Sequence, residues 1–240
     1  MNIPDSWPVT PDEAIALQDR LRPLVITEDR APPHFRTVAG LDSAYHDDGT
    51  VVAAAVVLDA VTLETVETVT ATGTTDFPYV PGLLAFRELP TTLAVLEKLS
   101  TTPDLIVCDS QGLAHPRRFG MACHLGLLVD LPTIGVAKNA WGDYLDPAPD
   151  RGSATSITID GAPVGRALRT RTAVKPVFVS VGHRIDLDTA CAQVLALTRE
   201  YRQPETTRRA DRLCRRLLRE VAATGPVRTP DRVDYRDSSR

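Results

Sequence analysis

The sequence predicts an α/β fold with one mixed β-sheet, in which three antiparallel strands are followed by parallel strands and the sheet is flanked by helices. Three consecutive runs rich in β-branched residues occupy residues 36–73. Two short apolar runs follow at 105–108 and 133–137, and segments with helical periodicity lie before and between them. Strands that alternate with helices are typical of parallel pairing, whereas consecutive strands joined by tight turns are typical of antiparallel pairing.

The first three strands form a predicted meander. They are "RTVAGLDSAY", "TVVAAAVVLDA" and "TLETVETVTATG". The first junction contains Asp-Asp-Gly at 47–49, a sequence that favours a tight turn. Antiparallel order is therefore expected for this part of the sheet.

The middle of the chain predicts alternating helices and buried strands. A helical pattern runs from about 82 to 99, and Pro90 is expected to end one short helix and begin another. "DLIVCD" is a short apolar run of the kind found in strands buried on both faces. After it, "HPRRFGMACHLGLLVD" predicts a helix that starts at Pro116, and "PTIGVAK" predicts another buried strand.

The last part of the chain predicts three strands and two helices. The strands are "SATSITIDG", "PVGRALRT" and "KPVFVSVGH", and the helices run from about 187 to 201 and from about 205 to 223. The final helix places an apolar stripe inward and its arginines outward. The stripe consists of Ala210, Leu213, Cys214, Leu217, Leu218 and Val221. We expect one domain over residues 1–225 and a poorly ordered tail at 226–240.

Composition favours a globular protein without a membrane segment. The 240 residues are 43% hydrophobic and 24% charged, no run approaches 18 apolar residues, and the acidic N-terminus lacks the features of a signal peptide. We therefore expect a cytoplasmic protein. Four cysteines without CxxC spacing are expected to be reduced.

Residues 199–240 contain 12 arginines and 7 acidic residues, against 15 basic and 24 acidic residues before them. This asymmetry suits a polyanionic partner, although a solvated helix face also explains it.

Acidic residues stand at positions where strands should be buried. Asp42 lies within an apolar strand and Asp109 directly follows the run "LIVC". One such aspartate is commonly a hydrogen-bonded turn former, but two on neighbouring strands indicate a site, because open sheets place sites at strand ends. Glu88 and Asp211 could reach the same region. An all-oxygen set favours Mg²⁺, with Mn²⁺ as a substitute, and hence hydrolytic nuclease chemistry.

Basic residues follow the same two strands. His115 and Arg117 lie in "AHPRRFG", and Lys138 lies in "GVAKN". Singly, each is commonly a capping or surface residue. Together, beside the carboxylates, they are typical of phosphate ligands and a proton-transfer group.

The stretch "FPYVPGLLAFRELP" predicts a stiff, protruding loop. Two prolines flank Tyr79 and Val80, and each proline fixes its own φ and restricts the residue before it. Tyr79 and Val80 should therefore be held outward. A surface loop packed on its neighbour is the alternative.

These blocks together resemble the endonuclease V family, the deoxyinosine 3′ endonucleases. The matching blocks are "VAGLDSAY", "PYVPGLLAFRE", "DSQGLAHPRRFGMACHLG", "GVAKN", "VFVSVGHRIDL" and "PETTRRAD". The resemblance implies a ribonuclease H-like fold and dependence on a divalent metal. It also implies hydrolysis of the second phosphodiester bond 3′ to a hypoxanthine-bearing nucleotide, which leaves a 3′-hydroxyl and a 5′-phosphate.

Site roles follow from the resemblance, position by position. Asp42, Asp109 and Glu88 are expected to bind the metal, with Lys138 on the phosphate side and Asp211 nearby. The expected wedge and base pocket consist of Tyr79, Val80, Pro81, Gly82, Leu84, Ser110, Met121 and Gly135. The expected phosphate-binding residues are Arg87, His115, Arg117 and His124. Tyr79 is expected to be the tip of a wedge inserted where the altered base leaves the stack.

The chain departs from the family pattern at three positions. Ser110 replaces the usual glycine beside the pocket, Thr206 replaces a proline in "PETTR", and Asn139 replaces a frequent serine. The expected partner is DNA or RNA that contains inosine, with no membrane and no obligate protein partner. Three alternatives remain open: a ribonuclease H-like nuclease or resolvase without base specificity, a nucleic-acid-binding module without catalysis, and a structural protein.

Overall fold

The structure is a computed structural model that describes residues 4, 6–30 and 34–224. The expected tail at 226–240 lies outside the described residues. In the described ranges, no helix combines the length and the apolar character that a membrane span requires.

The described residues form one sheet of nine strands with five α-helices. The strands are β1 Thr37–Tyr45, β2 Thr50–Asp59, β3 Thr65–Thr74, β4 Leu105–Cys108, β5 Thr133–Ala137, β6 Asp143–Tyr144, β7 Ala154–Ile159, β8 Ala162–Leu168 and β9 Val177–His183. The helices are α1 Pro11–Leu21, α2 Ala85–Leu96, α3 Met121–Val129, α4 Leu187–Ala196 and α5 Glu205–Thr224. A short 3₁₀ helix, Arg22–Leu24, follows α1.

The sheet confirms the predicted mixed α/β architecture. Its strand order is β3-β2-β1-β4-β5-β9-β8-β7-β6. The meander β1–β3 is antiparallel, β1, β4 and β5 are parallel, and the remaining strands return to antiparallel pairing. The parallel centre places the carboxyl ends of β1 and β4 at the same edge of the sheet.

Helices cover both faces of the central strands. Along β1, Val38 packs in one core cluster, which includes residues of α4 and α5, whereas Ala39 and Leu41 pack in another, which includes residues of α2 and α3. In β4, Leu105 and Val107 face the first cluster and Ile106 faces the second. Burial on both faces explains why these strands are continuous apolar runs.

The prediction that Pro90 separates two helices is wrong, because α2 continues through it. Proline removes one backbone hydrogen bond from the helix. Leu89 and Leu93, on either side of it, are fully or nearly fully buried against the sheet. This packing outweighs the loss of one bond.

Two other predicted helix boundaries differ from the structure, and two elements were not predicted. The helix expected from Pro116 begins only at Met121, because residues 115–118 form a turn and Arg118 has φ of 54°. The helix expected to reach residue 201 ends at Ala196. The sequence analysis did not identify α1, although Thr10 and Glu13 form a capping box at its start, nor the two-residue strand β6.

Gly40 allows α5 to lie directly on β1. A Cβ at this position would lie 2.2 Å from the backbone carbonyl carbon of Thr206, at the start of α5. The thiol of Cys214, two turns further along, donates to the backbone oxygen of Asp42 at 3.1 Å. The predicted stripe is confirmed, since Ala210 and Cys214 are fully buried while arginines such as Arg212 are exposed.

We expect Gly40→Ala to displace α5 and to lower the free energy of unfolding by about 1–3 kcal/mol, the usual cost of overpacking. Urea unfolding measures the loss, and amide hydrogen exchange measures the opening of α5. Gly161→Ala is the control, because Gly161 has φ of 73° and open space around it. The control should lower the free energy of unfolding through backbone strain, without faster amide hydrogen exchange in α5. Unchanged exchange in α5 of Gly40→Ala would contradict the close contact.

Candidate active site

Two aspartates lie side by side at the carboxyl ends of β1 and β4. Leu41 pairs with Cys108 in the parallel register, so Asp42 and Asp109 follow at the same level of adjacent strands. The amide of Asp109 donates to the carbonyl of Leu41 at 3.3 Å, which fixes this level. Neighbouring strands are about 4.8 Å apart, so two carboxylates are held close together.

Glu88 adds a third carboxylate from the first turn of α2. The residue is 8% exposed, and the hydroxyl of Tyr45, on β1, donates to its Oε1. Burial raises the pKa of Glu88 to about 7, with a further contribution from the charge of Asp109, while the hydrogen bond from Tyr45 opposes the shift. This hydrogen bond orients a carboxylate that burial would otherwise keep neutral.

The pKa of Asp42 is the most perturbed in this group. Burial, with smaller contributions from the charges of Asp109, Glu88 and Asp211, raises it to about 8, while the charge of Lys138 opposes the shift. The charges of neighbouring carboxylates act on one another here because they converge on one place. Clustered carboxylates favour the binding of a cation, because the cation lowers the free-energy cost of ionising them.

Lys138 supplies positive charge at the end of β5. Its Nζ lies 2.5 Å from Oδ2 of Asp109, whose side chain is 5% exposed. Burial lowers the pKa of Lys138, but the hydrogen bond and charge of Asp109, with the charges of Asp42 and Asp211, outweigh burial and raise it. Lys138 is therefore a protonated ammonium group.

Asp211 approaches the site from α5. Its charge acts on both Asp42 and Lys138, and its Oδ1 accepts a hydrogen bond from Nε of Arg215 at 2.9 Å. Since α5 is seated on Gly40, the position of Asp211 depends on that close contact.

The donor set has the chemistry for a hard cation. Asp42, Asp109 and Glu88 offer carboxylate oxygens only, and burial together with neighbouring negative charge raises the pKa values of Asp42 and Glu88. In the part of the chain that the structure describes, no three His, Cys, Asp or Glu side chains lie close enough together to hold a metal ion. The ammonium of Lys138 on Asp109 and the hydroxyl of Tyr45 on Glu88 occupy oxygens that an ion would share.

A cavity of about 530 Å³ joins the carboxylates to the proline-flanked loop. Its wall includes Asp42, Asp109 and Lys138. Seven predicted wedge or pocket residues also line it: Tyr79, Val80, Pro81, Gly82, Leu84, Ser110 and Met121. Tyr79 is 73% exposed, which agrees with a side chain held outward by the loop.

Gly82 anchors the loop through its backbone oxygen. This oxygen accepts hydrogen bonds from Nε2 of His115 at 2.9 Å, Nη2 of Arg117 at 2.8 Å and Nε2 of Gln18 at 3.1 Å. Nε of Arg117 also donates to Oε1 of Gln18 at 2.6 Å. Gly82 has φ of 82°, in the left-handed region that favours glycine. We call Gln18, His115 and Arg117 the carbonyl clasp.

His115 is a neutral imidazole in this clasp. Its Nε2 donates to Gly82 while its Nδ1 accepts from the amide of Arg117 at 3.2 Å. Burial, with a smaller contribution from the charge of Arg117, lowers the pKa of His115 to about 4, while the hydrogen bond to Gly82 opposes the shift. His115 lines the cavity but does not bring a charge to it.

The other two residues expected to bind phosphate, Arg87 and His124, lie around the loop, and the charge of Arg87 also acts on Glu88. Arg87 donates to the backbone oxygen of Phe77 and lies over the ring of Tyr45. His124 is 1% exposed, with its ring near those of Phe86 and Phe119, and burial lowers its pKa to about 4. These residues support the loop and the helix that follows it.

Two pocket positions have specific packing. Gly135 lies behind the wall, where a Cβ would stand 2.4 Å from the amide nitrogen of Gly112. Its lack of a side chain lets residues 110–112 pack on β5. Ser110 lines the cavity, and its Oγ is buried without a hydrogen-bond partner among the described residues.

Sequence reasoning missed three contributors to this site. Gln18 lies on α1, and the capping box that starts this helix was the available signal. Tyr45 ends the first strand, at a position whose partner is set only by tertiary packing. Trp141 lines the cavity three residues after Lys138.

Comparisons with known proteins agree on one family. A family model described as Endonuclease V matches residues 19–212. An Endonuclease V from Nocardia farcinica is 65% identical over 223 residues, which cover 92% of this chain and 98% of the relative. The crystal structure of Endonuclease V from Streptomyces avermitilis aligns with a TM-score of 0.88 at 61% identity, covering 93% of this chain and 98% of that one.

A further solved structure contains nucleic acid. Endonuclease V from Ciona intestinalis, in complex with a 24mer DNA containing an inosine followed by a ribo-adenosine, aligns with a TM-score of 0.77 at 28% identity. The alignment covers 88% of this chain and 98% of that chain.

We expect the metal-free protein to lose stability as the pH rises from about 6.5 to about 8. The folded protein holds protons on Asp42 and Glu88 up to pKa values of about 8 and about 7, whereas their ordinary values are 3.8 and 4.5. The stability linked to these protons is complete below the unfolded values and is lost as the pH rises through the folded ones. The melting temperature in chelator measures this loss.

The chosen pH window separates the carboxylates from the buried histidines. His115 and His124 have lowered pKa values, so they make the protein less stable only as the pH falls below about 6.5. Asp42→Asn should flatten the slope between pH 6.5 and 8. A slope that is the same in wild type and Asp42→Asn would assign the pH dependence to other groups.

Proposed function

The chain belongs to the endonuclease V family, and from this premise we propose that it is a metal-dependent endonuclease specific for hypoxanthine in nucleic acid. The proposed reaction is hydrolysis of the second phosphodiester bond 3′ to the inosine, which leaves a 3′-hydroxyl and a 5′-phosphate. Repair of deaminated adenine in DNA is the proposed role, with inosine-containing RNA as a second substrate.

The observation that carries this proposal is the shared cavity. Asp42, Asp109 and Lys138 form one part of its wall, and the loop that contains Tyr79 forms another. A nuclease without base specificity needs the first part only. The inosine-containing DNA bound by the Ciona intestinalis relative supports the same substrate for this chain.

We propose that Asp42, Asp109 and Glu88 hold Mg²⁺, for which Mn²⁺ can substitute. When bound, the ion supplies a nucleophilic water and neutralises charge on the phosphodiester. Asp42 and Glu88 must be ionised to bind it, and their raised pKa values favour binding as the pH rises. Tyr45 keeps Glu88 oriented through its hydroxyl.

Lys138 is proposed to bind the phosphate rather than to accept a proton. Its pKa is raised, so it stays protonated at neutral pH and cannot serve as a general base. Its ammonium group, 43% exposed, can exchange Asp109 for a phosphate oxygen when the strand is bound. Asp109 is then available to the ion.

The loop and its surroundings are proposed to recognise the extruded base. Hypoxanthine accepts a hydrogen bond at O6 and donates one from N1. The oxygen of Gly82 is already saturated by the carbonyl clasp, so its amide is the group it can offer to O6. Ser110 places its buried hydroxyl beside the same space, where it narrows the pocket and can pair with the base.

We expect cleavage of inosine strands to disappear in chelator and to return with Mg²⁺ or Mn²⁺ but poorly with Ca²⁺, whose looser coordination misplaces the attacking water. Asp42→Asn, Asp109→Asn and Glu88→Gln should each abolish cleavage without unfolding the protein, because each removes an ion ligand. The assay compares matched DNA and RNA oligonucleotides, with one inosine or one adenosine, and an uninterrupted RNA–DNA hybrid.

The control is Asp188→Asn on α4, whose side chain is 80% exposed and pairs with Arg166. It should cleave at the wild-type rate. Full cleavage in excess chelator would overturn the metal requirement. Equal cleavage of adenosine strands or of the hybrid would favour a nuclease without base specificity.

We expect Tyr79→Ala to weaken binding to inosine strands by roughly 1–3 kcal/mol, the usual worth of one base–aromatic contact. Unstacking a base costs more in a duplex, so the defect should be larger on duplex than on single-stranded DNA. Binding is measured in Ca²⁺ at fixed salt, because phosphate contacts make affinity salt-dependent. An equal loss on inosine and adenosine strands would make Tyr79 a packing residue only.

A further inference from the structure

The segment that follows Lys138 exposes three apolar side chains. Trp141 and Tyr144 are each 37% exposed, and Leu145 is 80% exposed. Trp141 lines the same cavity as Tyr79, while Tyr144 and Leu145 line a neighbouring surface groove of about 320 Å³. Exposed aromatic rings at this density suggest a binding surface, because isolated exposed residues are ordinary but contiguous ones are not.

The backbone before Trp141 is fixed by long-range hydrogen bonds. The oxygen of Lys138 accepts from Nη2 of Arg202 at 2.9 Å, and the oxygen of Asn139 accepts from Nε2 of Gln111 at 3.0 Å. The side-chain oxygen of Asn139 accepts from Nζ of Lys175 at 3.1 Å. Trp141 therefore extends from a rigid support.

The backbone after Trp141 is equally constrained. Gly142 has φ of 92°, and a Cβ there would lie 2.4 Å from the oxygen of Thr158, so the chain turns tightly against β7. Tyr144 then pairs with Ile157 in the sheet, and its ring meets that of Phe178 edge-on at 4.9 Å between centroids. Both aromatic rings are held at the surface by ordered neighbours.

The chemistry of this surface suits a nucleobase. Trp141 and the cationic Lys138 line the same cavity, and the ring of His115 lies 6.3 Å from the ring of Trp141. A flat, pre-positioned indole beside positive charge is the arrangement by which proteins bind single strands, with bases on aromatic faces and phosphates on basic residues. Lys175, exposed beside Asn139, adds a second positive charge.

We propose that Trp141 stacks on one unpaired base of the bound strand, next to the nucleotide held in the cavity. The inference rests on the proposed function, because it assigns a second base contact on the same strand. It makes Trp141 a positioning residue that holds the strand beside Lys138 and the carboxylates.

Tryptophan fluorescence tests the contact directly, since the chain contains two tryptophans, Trp7 and Trp141. Trp7→Phe leaves Trp141 as the single reporter, and Trp141→Phe leaves the partly buried Trp7. A single-stranded inosine oligonucleotide, added in Ca²⁺, should quench the first protein strongly and the second weakly. Melting temperatures of both variants check that they remain folded.

Affinity provides a second readout. Trp141→Ala should weaken binding by about 5- to 150-fold, the range for loss of one base–aromatic stack, and Trp141→Phe should retain most of the affinity. Oligonucleotides with one abasic site, placed in turn at each of three positions on either side of the inosine, identify the stacked base. At that position the abasic site should weaken binding of the strand to the wild-type protein but not to the Trp141→Ala variant.

The outcomes separate this inference from the proposed function. If wild type does not cleave inosine strands in Mg²⁺, the proposed function fails whatever Trp141 does. If wild type cleaves them but the fluorescence of Trp141 is not quenched, the stacking role is overturned. It is also overturned if an abasic site weakens binding to wild type and to Trp141→Ala equally at every position. Equal melting temperatures with weakened binding in Trp141→Ala would exclude a purely structural effect.

Discussion

The rest of the site depends on the free-energy cost of holding several buried carboxylates close together. The parallel register of β1 and β4 places Asp42 beside Asp109, and burial raises the pKa of Asp42 to about 8. Negative charges this close together are stable only when a cation or a proton compensates them. Lys138 supplies positive charge to Asp109, and the Tyr45 hydroxyl supports Glu88. Burial and neighbouring negative charge make the ionised form of this site unfavourable, and a bound divalent cation is the kind of ligand that would relieve that cost.

A second constraint fixes the loop opposite the carboxylates. Prolines stiffen the loop locally, but its direction depends on the oxygen of Gly82, which binds donors from α1 and from residues 115–117. His115 and Arg117 therefore act through the backbone of the loop. Lys138 is the cation that contacts Asp109 directly, and the shape of the cavity beside the loop depends on Gln18, 64 residues from Gly82 in the chain.

Both constraints depend on close backbone contacts. Gly40 lets α5 touch β1, which brings Asp211 toward Asp42, and Gly135 lets residues 110–112 lie on β5, behind the cavity wall. Backbone elements at these distances leave little freedom for the side chains they carry, and preorganised groups are what phosphodiester hydrolysis requires. The exposed rings of Tyr79 and Trp141 then stand on rigid supports at the two sides of the cavity.

The sequence by itself determined eight of the nine strands that the structure describes, the mixed sheet and the acidic residues at its edge, because period-two and continuous apolar patterns are local properties that burial imposes. It also predicted a stiff loop from two prolines. Only the tertiary structure decided that α2 passes through Pro90, that His115 is neutral and that Arg117 binds a backbone oxygen. These outcomes depend on partners distant in sequence, such as the packing of Leu89 and Leu93 or the amide of Gln18. The charge and direction of a polar side chain follow from what surrounds it, and that is a property of the fold rather than of the segment.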